Sequence, residues 1–392
     1  MYAPEFLREA QRQLGVCNAC RYCEGYCAVF PALELRTEIA SGDLTYLANL
    51  CHDCRDCYTA CMFTPPHEFA INIPKVLADA RVRTYEHYSR PRVLALFRRS
   101  VAGTAAISLG GIVAVWLAIV TFLGPVVLTV AHRGPGAFYT VAPWLAIIVP
   151  AIAISLYGAV VAVVGAWEFS RDIRGGPTPA DASARPLPAD QPPATVKPTR
   201  AADVWRAALD AVTLRFLKGG GAGCYYPRQR GSSQRRILHH FVAGGFLAAL
   251  ISTTIAAIEQ DILGRMPPFP LLSLPVVFGV AGGVLLIVGT TGLVGLKMRS
   301  DAEPTSAVMT AMDYAFLVLL DLVAITGMLL LVLRETRLMP SLLVVHLGLL
   351  VGLFITAPYG KFIHFVYRYL ALARRAGEER LETLAGETQA GH

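Results

Sequence analysis

Six long apolar runs break the otherwise ordinary alternation of polar and apolar positions along this chain. Val101–Val130 has no charged residue in 30 positions. Ala137–Trp167 follows, with Pro143 and Pro150 predicted to kink it. Phe241–Ile258, Leu271–Leu296, Tyr314–Leu333 and Leu338–Gly360 complete the set; Asp321 interrupts the fifth and His346 the sixth. A helix rises ~1.5 Å per residue, so about 20 residues cross the hydrocarbon of a bilayer. Each run therefore predicts a spanning helix. Soluble proteins bury apolar helices too, but six runs of this length have no soluble counterpart.

The polar remainder also has helical periodicity. Residues 2–16 form an amphipathic pattern, ALELRTEI and DLTYLANL repeat apolar residues every three or four positions, and NIPKVLADARVRTYEHY carries a proline near its start. The fold class predicted is all-α: a small helical N-terminal domain followed by a six-helix transmembrane bundle. Its units are residues 1–98, a cytoplasmic domain; 99–170, the first two spans; 171–200, a linker; 201–375, spans three to six; and 376–392, a polar cytoplasmic tail. The linker reading rests on seven prolines within 174–200. No apolar run precedes Val101, which is too late for a secretory signal, so the N-terminus is predicted to be cytoplasmic. Six spans then return the C-terminus to the same side.

Composition sharpens this picture. Charged residues make up 16% of the chain, against about a quarter in soluble domains. The net charge of +7 gathers beside the apolar runs, as in RRILHH and LKMRSD, where the positive-inside rule puts it. That pattern argues for a membrane surface and against nucleic-acid binding, which would add an aromatic and basic ladder. Eight of the nine cysteines fall between Cys17 and Cys61. Such density in an unsecreted chain indicates metal rather than disulfides.

The cysteines form two runs of one spacing, Cys17-x2-Cys20-x2-Cys23-x3-Cys27 and Cys51-x2-Cys54-x2-Cys57-x3-Cys61. Three thiolates at x2 spacing wrap one face of a cubane, while the fourth points away and ligates the other cluster. Cys17, Cys20, Cys23 and Cys61 are thus predicted to hold one [4Fe–4S] cluster, and Cys51, Cys54, Cys57 and Cys27 the other. Structural zinc uses paired C-x2-C units and a tetrahedron, which this spacing suits poorly. His52 and His67 are read as tuning the surroundings of the clusters.

Ionisable groups within apolar runs are costly and mark function. His239 and His240 open the third span, while His346 and His364 lie in or just beyond the sixth. Opposite chain directions bring His240 and His364 to one depth, where two imidazoles would hold a b-type haem. His239 is the alternative to His240, because the two point about 100° apart on a helix. His346 and His364, 18 residues apart, would share a helix face. His346 could serve a second haem, a quinone or an interhelical bond. Asp313 and Asp321 fit a proton relay or interhelical hydrogen bonds. Lys361 fits haem propionates or lipid phosphates, and GGGAGCYYPRQR (219–230) a docking or haem-covering loop.

CNACRYCEGYC, LCHDCRDCYTACMFTPPHEFAINIP, GCYYP…RRILHH and VHLG…PYGKFIH together resemble the tricarballylate (citrate) utilization protein B family, over nearly the whole chain. The cysteine part is also similar to the α-helical ferredoxin domain of heterodisulfide reductase C-type subunits. The histidines resemble those of nitrate reductase gamma-type cytochromes b. Those cytochromes carry two spaced histidines on the partner helix where this chain has only His239/His240, which favours one haem over two. The resemblance implies an oxidoreductase component that does no substrate chemistry by itself. It would reoxidise the flavin of a soluble FAD-dependent dehydrogenase, which converts tricarballylate to cis-aconitate, and pass electrons to the quinone pool. A different flavoprotein partner, as in cobalamin-pathway fusions, and a membrane redox sensor are the alternatives.

Overall fold

The computed structural model describes residues 1–92, 100–174, 200–221, 223–225, 227 and 230–390, with side chains as far as 384. Five helices build the N-terminal domain: α1 (Pro4–Cys20), α2 (Val29–Glu34), α3 (Ser41–Leu50), α4 (Asp56–Thr59) and α5 (Ile73–Tyr88). Leu7, Ala10 and Leu14 fall on one face of α1 and are buried against Leu33, Leu44, Leu47, Leu77 and Tyr85. This is a helix-period core. Asn72 caps α5, its side chain accepting from the Lys75 N–H at 3.2 Å.

Six helices are long and apolar enough to cross a membrane. They are α6 (Val101–Leu123), α8 (Trp144–Asp172), α10 (Gln234–Ala257, prolonged by a π-turn to Ile262), α11 (Leu274–Met298), α12 (Ala307–Leu333) and α13 (Met339–Thr356). A short helix, α7 (Ala137–Val141), precedes α8. Pro143 therefore separates two helices rather than kinking one, while Pro150 lies inside α8. Small residues bring neighbours close. A Cβ on Gly245 of α10 would sit 2.8 Å from the backbone nitrogen of Leu286 on α11, and one on Gly348 of α13 would sit 2.4 Å from Cα of Ile112 on α6. Close backbone approach is the usual basis of helix association in lipid. Asp321 accepts from Thr290 at 2.8 Å and Thr291 at 3.0 Å, joining α12 to α11.

Two expectations change. His346 and His364 do not share a helix face, because α13 stops at Thr356 and a 3₁₀ turn, Lys361–Ile363, leads into a new helix, α14 (His364–Ala390). The segment read as a polar tail is the second half of α14, and its start is buried. Glu378 there accepts from Arg36 at 2.6 Å, Tyr46 at 2.9 Å and Arg374 at 3.0 Å. Glu378 looked solvated in the sequence because Arg36 and Tyr46 lie more than 300 positions away. A further helix, α9 (Ala201–Val212), lies along α14, where Asp203 accepts both branches of Arg380 at 3.0 Å. The N-terminal domain is thus held between α14 and the ends of the bundle. Residues 175–199 of the proline-rich linker lie outside the described residues.

Candidate functional site

The two cysteine runs sit on different local structure. In the first, Cys17 and Cys20 end α1, and Arg21 stops the helix in a left-handed conformation (φ 55°) with its N–H bonded to the Cys17 carbonyl. In the second, Cys51 follows α3, the chain turns through Asp53 and Arg55 (φ 55° and 68°), and α4 carries Cys57. Arg21 and Arg55 occupy equivalent places, directly after the second cysteine of each run.

The fold mixes the runs. Cys17, Cys20, Cys23 and Cys61 line one cavity, which Cys57 also touches. Burial pushes the Cys17 thiol up to about 12, with Cys61, Cys23 and Cys20 adding to the effect. Cys27 is likewise pushed up to about 12 by burial and then by Cys51, not by the other members of its own run. Cys57 is raised by burial, then by Cys54, Cys27 and Cys51, and after these by Cys23. The thiols therefore gather as Cys17, Cys20, Cys23 with Cys61, and Cys51, Cys54, Cys57 with Cys27. Thiolates so buried and so close need a cationic centre to offset them. Three thiols from one run joined by one from the other suit a many-atom centre better than the paired C-x2-C units of a zinc site. Backbone N–H groups point at the sulfurs, from Asp53 to Cys51 Sγ at 3.4 Å and from Phe63 to Cys61 Sγ at 3.3 Å, as iron–sulfur ligands require.

Of the histidine pair, it is His239 and not His240 that faces His364. The ring centres are 6.1 Å apart and nearly perpendicular. His240 points away and bonds the carbonyls of Arg236 and Val212. Two imidazoles on opposite sides of one metal, each bonded at about 2.0–2.1 Å, would place their ring centres roughly 6 Å apart. An edge-to-face ring pair allows the same spacing. The nitrogens favour the metal. His364 Nδ1 donates to the Lys361 carbonyl at 2.6 Å, which leaves Nε2 with its lone pair, the usual arrangement of a ligating histidine. Burial holds His364 well below its ordinary pKa and so neutral. His239 Nδ1 is buried with no hydrogen-bond partner. Both rings line a cavity of 390 Å³, within the range of cofactor sites. The residues present therefore fit a haem held by His239 and His364.

The two sites are joined. Arg368, one turn beyond His364, donates to the Cys51 carbonyl at 2.6 Å and the Asn49 carbonyl at 3.4 Å. Arg81 donates to the same Cys51 carbonyl at 2.7 Å. Arg235, one turn before His239, donates to the Asp53 carbonyl.

Residues 98–385 match the family described as citrate utilization protein B, and residues 10–87 match its Fer4-like domain. The chain is 37% identical to the citrate utilization protein B of Escherichia coli, over 96% of this chain and 94% of that protein. This chain belongs to the citrate utilization protein B family. No solved structure matches it. A Fer4-like domain joined to six apolar helices makes the chain a redox component of electron transfer at a membrane.

Other residues singled out in this family member settle into structural places. His346 Nδ1 meets Thr326 Oγ1 at 2.9 Å, an interhelical bond between α13 and α12. The glycine-rich loop covers the second cysteine run, not the histidine cavity: Gly220 N–H donates to Asp56 Oδ2 at 2.9 Å and Tyr225 N–H to the Cys54 carbonyl at 3.0 Å. Cys224 is buried, its thiol donating to Leu217 O at 3.2 Å. His52 is buried, with Nδ1 on the Leu50 carbonyl at 2.9 Å, and His67 Nδ1 accepts from the Phe69 N–H at 3.1 Å. The sequence reading missed Arg235, Arg368 and Lys297. Each lies beside an apolar run, where the positive-inside rule explained its charge too cheaply. The i, i+4 spacing of Arg235 with His239 and of His364 with Arg368 was the available signal.

Proposed function

We propose that this chain is the membrane electron-transfer subunit of a flavoprotein:quinone oxidoreductase. It carries two [4Fe–4S] clusters and one b-type haem. Its partner is a soluble FAD-dependent dehydrogenase of the tricarballylate type, whose reduced flavin it reoxidises, and the electrons leave to the quinone pool. The site lies at the cytoplasmic face of a bacterial inner membrane, and substrate chemistry stays on the partner. The observation that carries this reading is the bridging of the two donor sets: Arg368 and Arg235 bind the Cys51–Asp53 backbone from the helices that bear His364 and His239.

Bound clusters and haem would supply one-electron transfer. The residues do the rest. Eight thiolates hold the charge of two clusters, and the N–H groups of Asp53 and Phe63 stabilise the sulfurs. Lys361 O fixes the tautomer and aim of His364. Cys20 is exposed and rimmed by Tyr22 and Met62, 62% and 70% exposed, whereas Cys51 and Cys54 are buried towards the bundle. Electrons from an outside donor therefore enter at Cys17, Cys20, Cys23 and Cys61.

The test is spectroscopic, on purified protein. Iron and labile sulfide sufficient for two cubanes, and a b-type spectrum on reduction, are expected. His239→Ala and His364→Ala should each abolish that spectrum, and His240→Ala should keep it. Adding the partner dehydrogenase and tricarballylate should reduce the haem. Zinc without iron would overturn the reading.

A further inference from the structure

The cavity that His239 and His364 share is strongly charged on one side. Its lining includes Arg235, Lys297 and Lys361 but a single carboxylate, Asp313, a net of two positive charges with the histidines neutral. Asp313 is divided between the lysines: Lys297 Nζ lies 2.7 Å from Oδ2 and Lys361 Nζ 2.8 Å from Oδ1. All three side chains are largely buried, 11%, 19% and 14% exposed for Lys297, Lys361 and Asp313. Two ammonium groups on one carboxylate leave a surplus charge in a place where charge is expensive. An ammonium carries three donors, so each lysine can hold Asp313 and a second acceptor together. The rest of the wall is apolar: Val242, Leu293 and Leu320 line it beside Phe362, whose ring meets those of Phe246, Phe316 and Phe365 at 5.4 to 6.1 Å.

These features describe a ligand with a broad apolar body and two anionic groups on one edge. We propose that Lys297 and Lys361, aligned by Asp313 and supported by Arg235, form the seat for two carboxylates of the group held between His239 and His364. The proposal rests on the haem reading above and adds its orientation: the propionate edge faces Lys297 and Lys361. Three elements supply the seat, namely the end of α11, the first turns of α12 and the turn before α14. Asp313 keeps the two lysines from repelling each other before the ligand arrives and sets their spacing.

The test uses the full-length chain in detergent, stripped of haem and titrated by absorbance with haem or with haem dimethyl ester, which lacks both charges. Wild type should bind haem about tenfold or more tightly than the ester, the order expected for losing charge-assisted hydrogen bonds. Lys297→Gln with Lys361→Gln should bind haem as weakly as the ester, and Lys297→Arg with Lys361→Arg should restore part of the preference. Equal affinity of wild type for haem and ester would overturn the seat while leaving haem binding intact. Binding of neither would overturn the haem reading and the seat with it. Displacement of haem by vesicles of phosphatidylglycerol, with no preference between haem and ester, would assign the lysines to lipid headgroups and likewise overturn the proposal. The wild-type comparison stands even if the double variant does not fold.

Discussion

The two cysteine runs share one spacing and even one residue, an arginine after the second cysteine, yet they live in different surroundings. Arg21 is exposed and bonds only locally, its Nε donating to the Asn18 carbonyl at 3.2 Å. Arg55 is 3% exposed and donates to the Asp301 carbonyl at 3.1 Å and to Thr305, on the loop between α11 and α12. Cys20 is open to solvent, while Cys51 and Cys54 are 9% and 6% exposed beneath the loop that carries Gly220 and Tyr225. The motif places the thiols, and the burial of each run decides what its site can meet. The first run faces whatever docks from outside. The second faces the histidine cavity.

The largest effect that can break this comparison comes from the exchanged fourth ligands. Cys27→Ser should remove about half the iron and extinguish the signal of the buried site, although Cys27 belongs by sequence to the exposed run. Cys61→Ser should do the converse. EPR with iron analysis reads both. Loss of the exposed site's signal in Cys27→Ser would mean that each run keeps its own four cysteines.

A smaller effect is expected at the join. Arg368→Leu takes one of two donors from the Cys51 carbonyl and leaves Arg81 as the other. Losing a charged donor of this kind costs about 1.5–3 kcal/mol. It also removes a positive charge near the second site alone, so that site's potential should fall while the first stays in place. A redox titration followed by EPR separates the two, and equal shifts would show that the sites share one electrostatic environment.

The fold class and the helix count were legible because lipid imposes a length and an apolar composition that few other contexts reproduce. The exchange of fourth cysteines between the runs is an expectation of the x2 and x3 spacings, which leave the fourth cysteine of each run facing away from the first three. The choice between His239 and His240 was not legible. Adjacent residues on a helix differ by about 100°, and the rotation of α10 is set by the packing of its Gly245 against α11, which no local pattern encodes. His364 was expected in or just beyond the sixth span; it opens a new helix, and the Pro358 and Gly360 that mark the break are what take it off the face of His346. The buried network around Glu378 was invisible for a different reason. Charges are read as solvated until a distant partner is known, and Arg36 and Tyr46 lie at the other end of the chain.

The finest test concerns the cover over the second run. Gly219 has a positive φ of 55°, and a Cβ there would fall 1.7 Å from Asp56 Oδ2. Asp56 is the post that ties down the loop, by accepting from the N–H of Gly220 at 2.9 Å and of Tyr225 at 3.3 Å. Gly219→Ala must therefore hold a backbone conformation (φ 55°, ψ −145°) that glycine alone adopts readily, at a cost of about 1–3 kcal/mol, and displace that carboxylate as well. A penalty of this size raises the open population of the loop severalfold to tenfold or more without unfolding the domain, whose core lies on α1, α3 and α5. Solvent would then reach Cys54 as it already reaches Cys20. The rate at which ferricyanide oxidises the second site should rise by that factor, while the first site, with no such cover, should react as before. If both rates rise together, the loop protects the domain as a whole, and the difference between the runs has another origin. If only the second rises, burial beneath this loop is what separates two sites built on one motif.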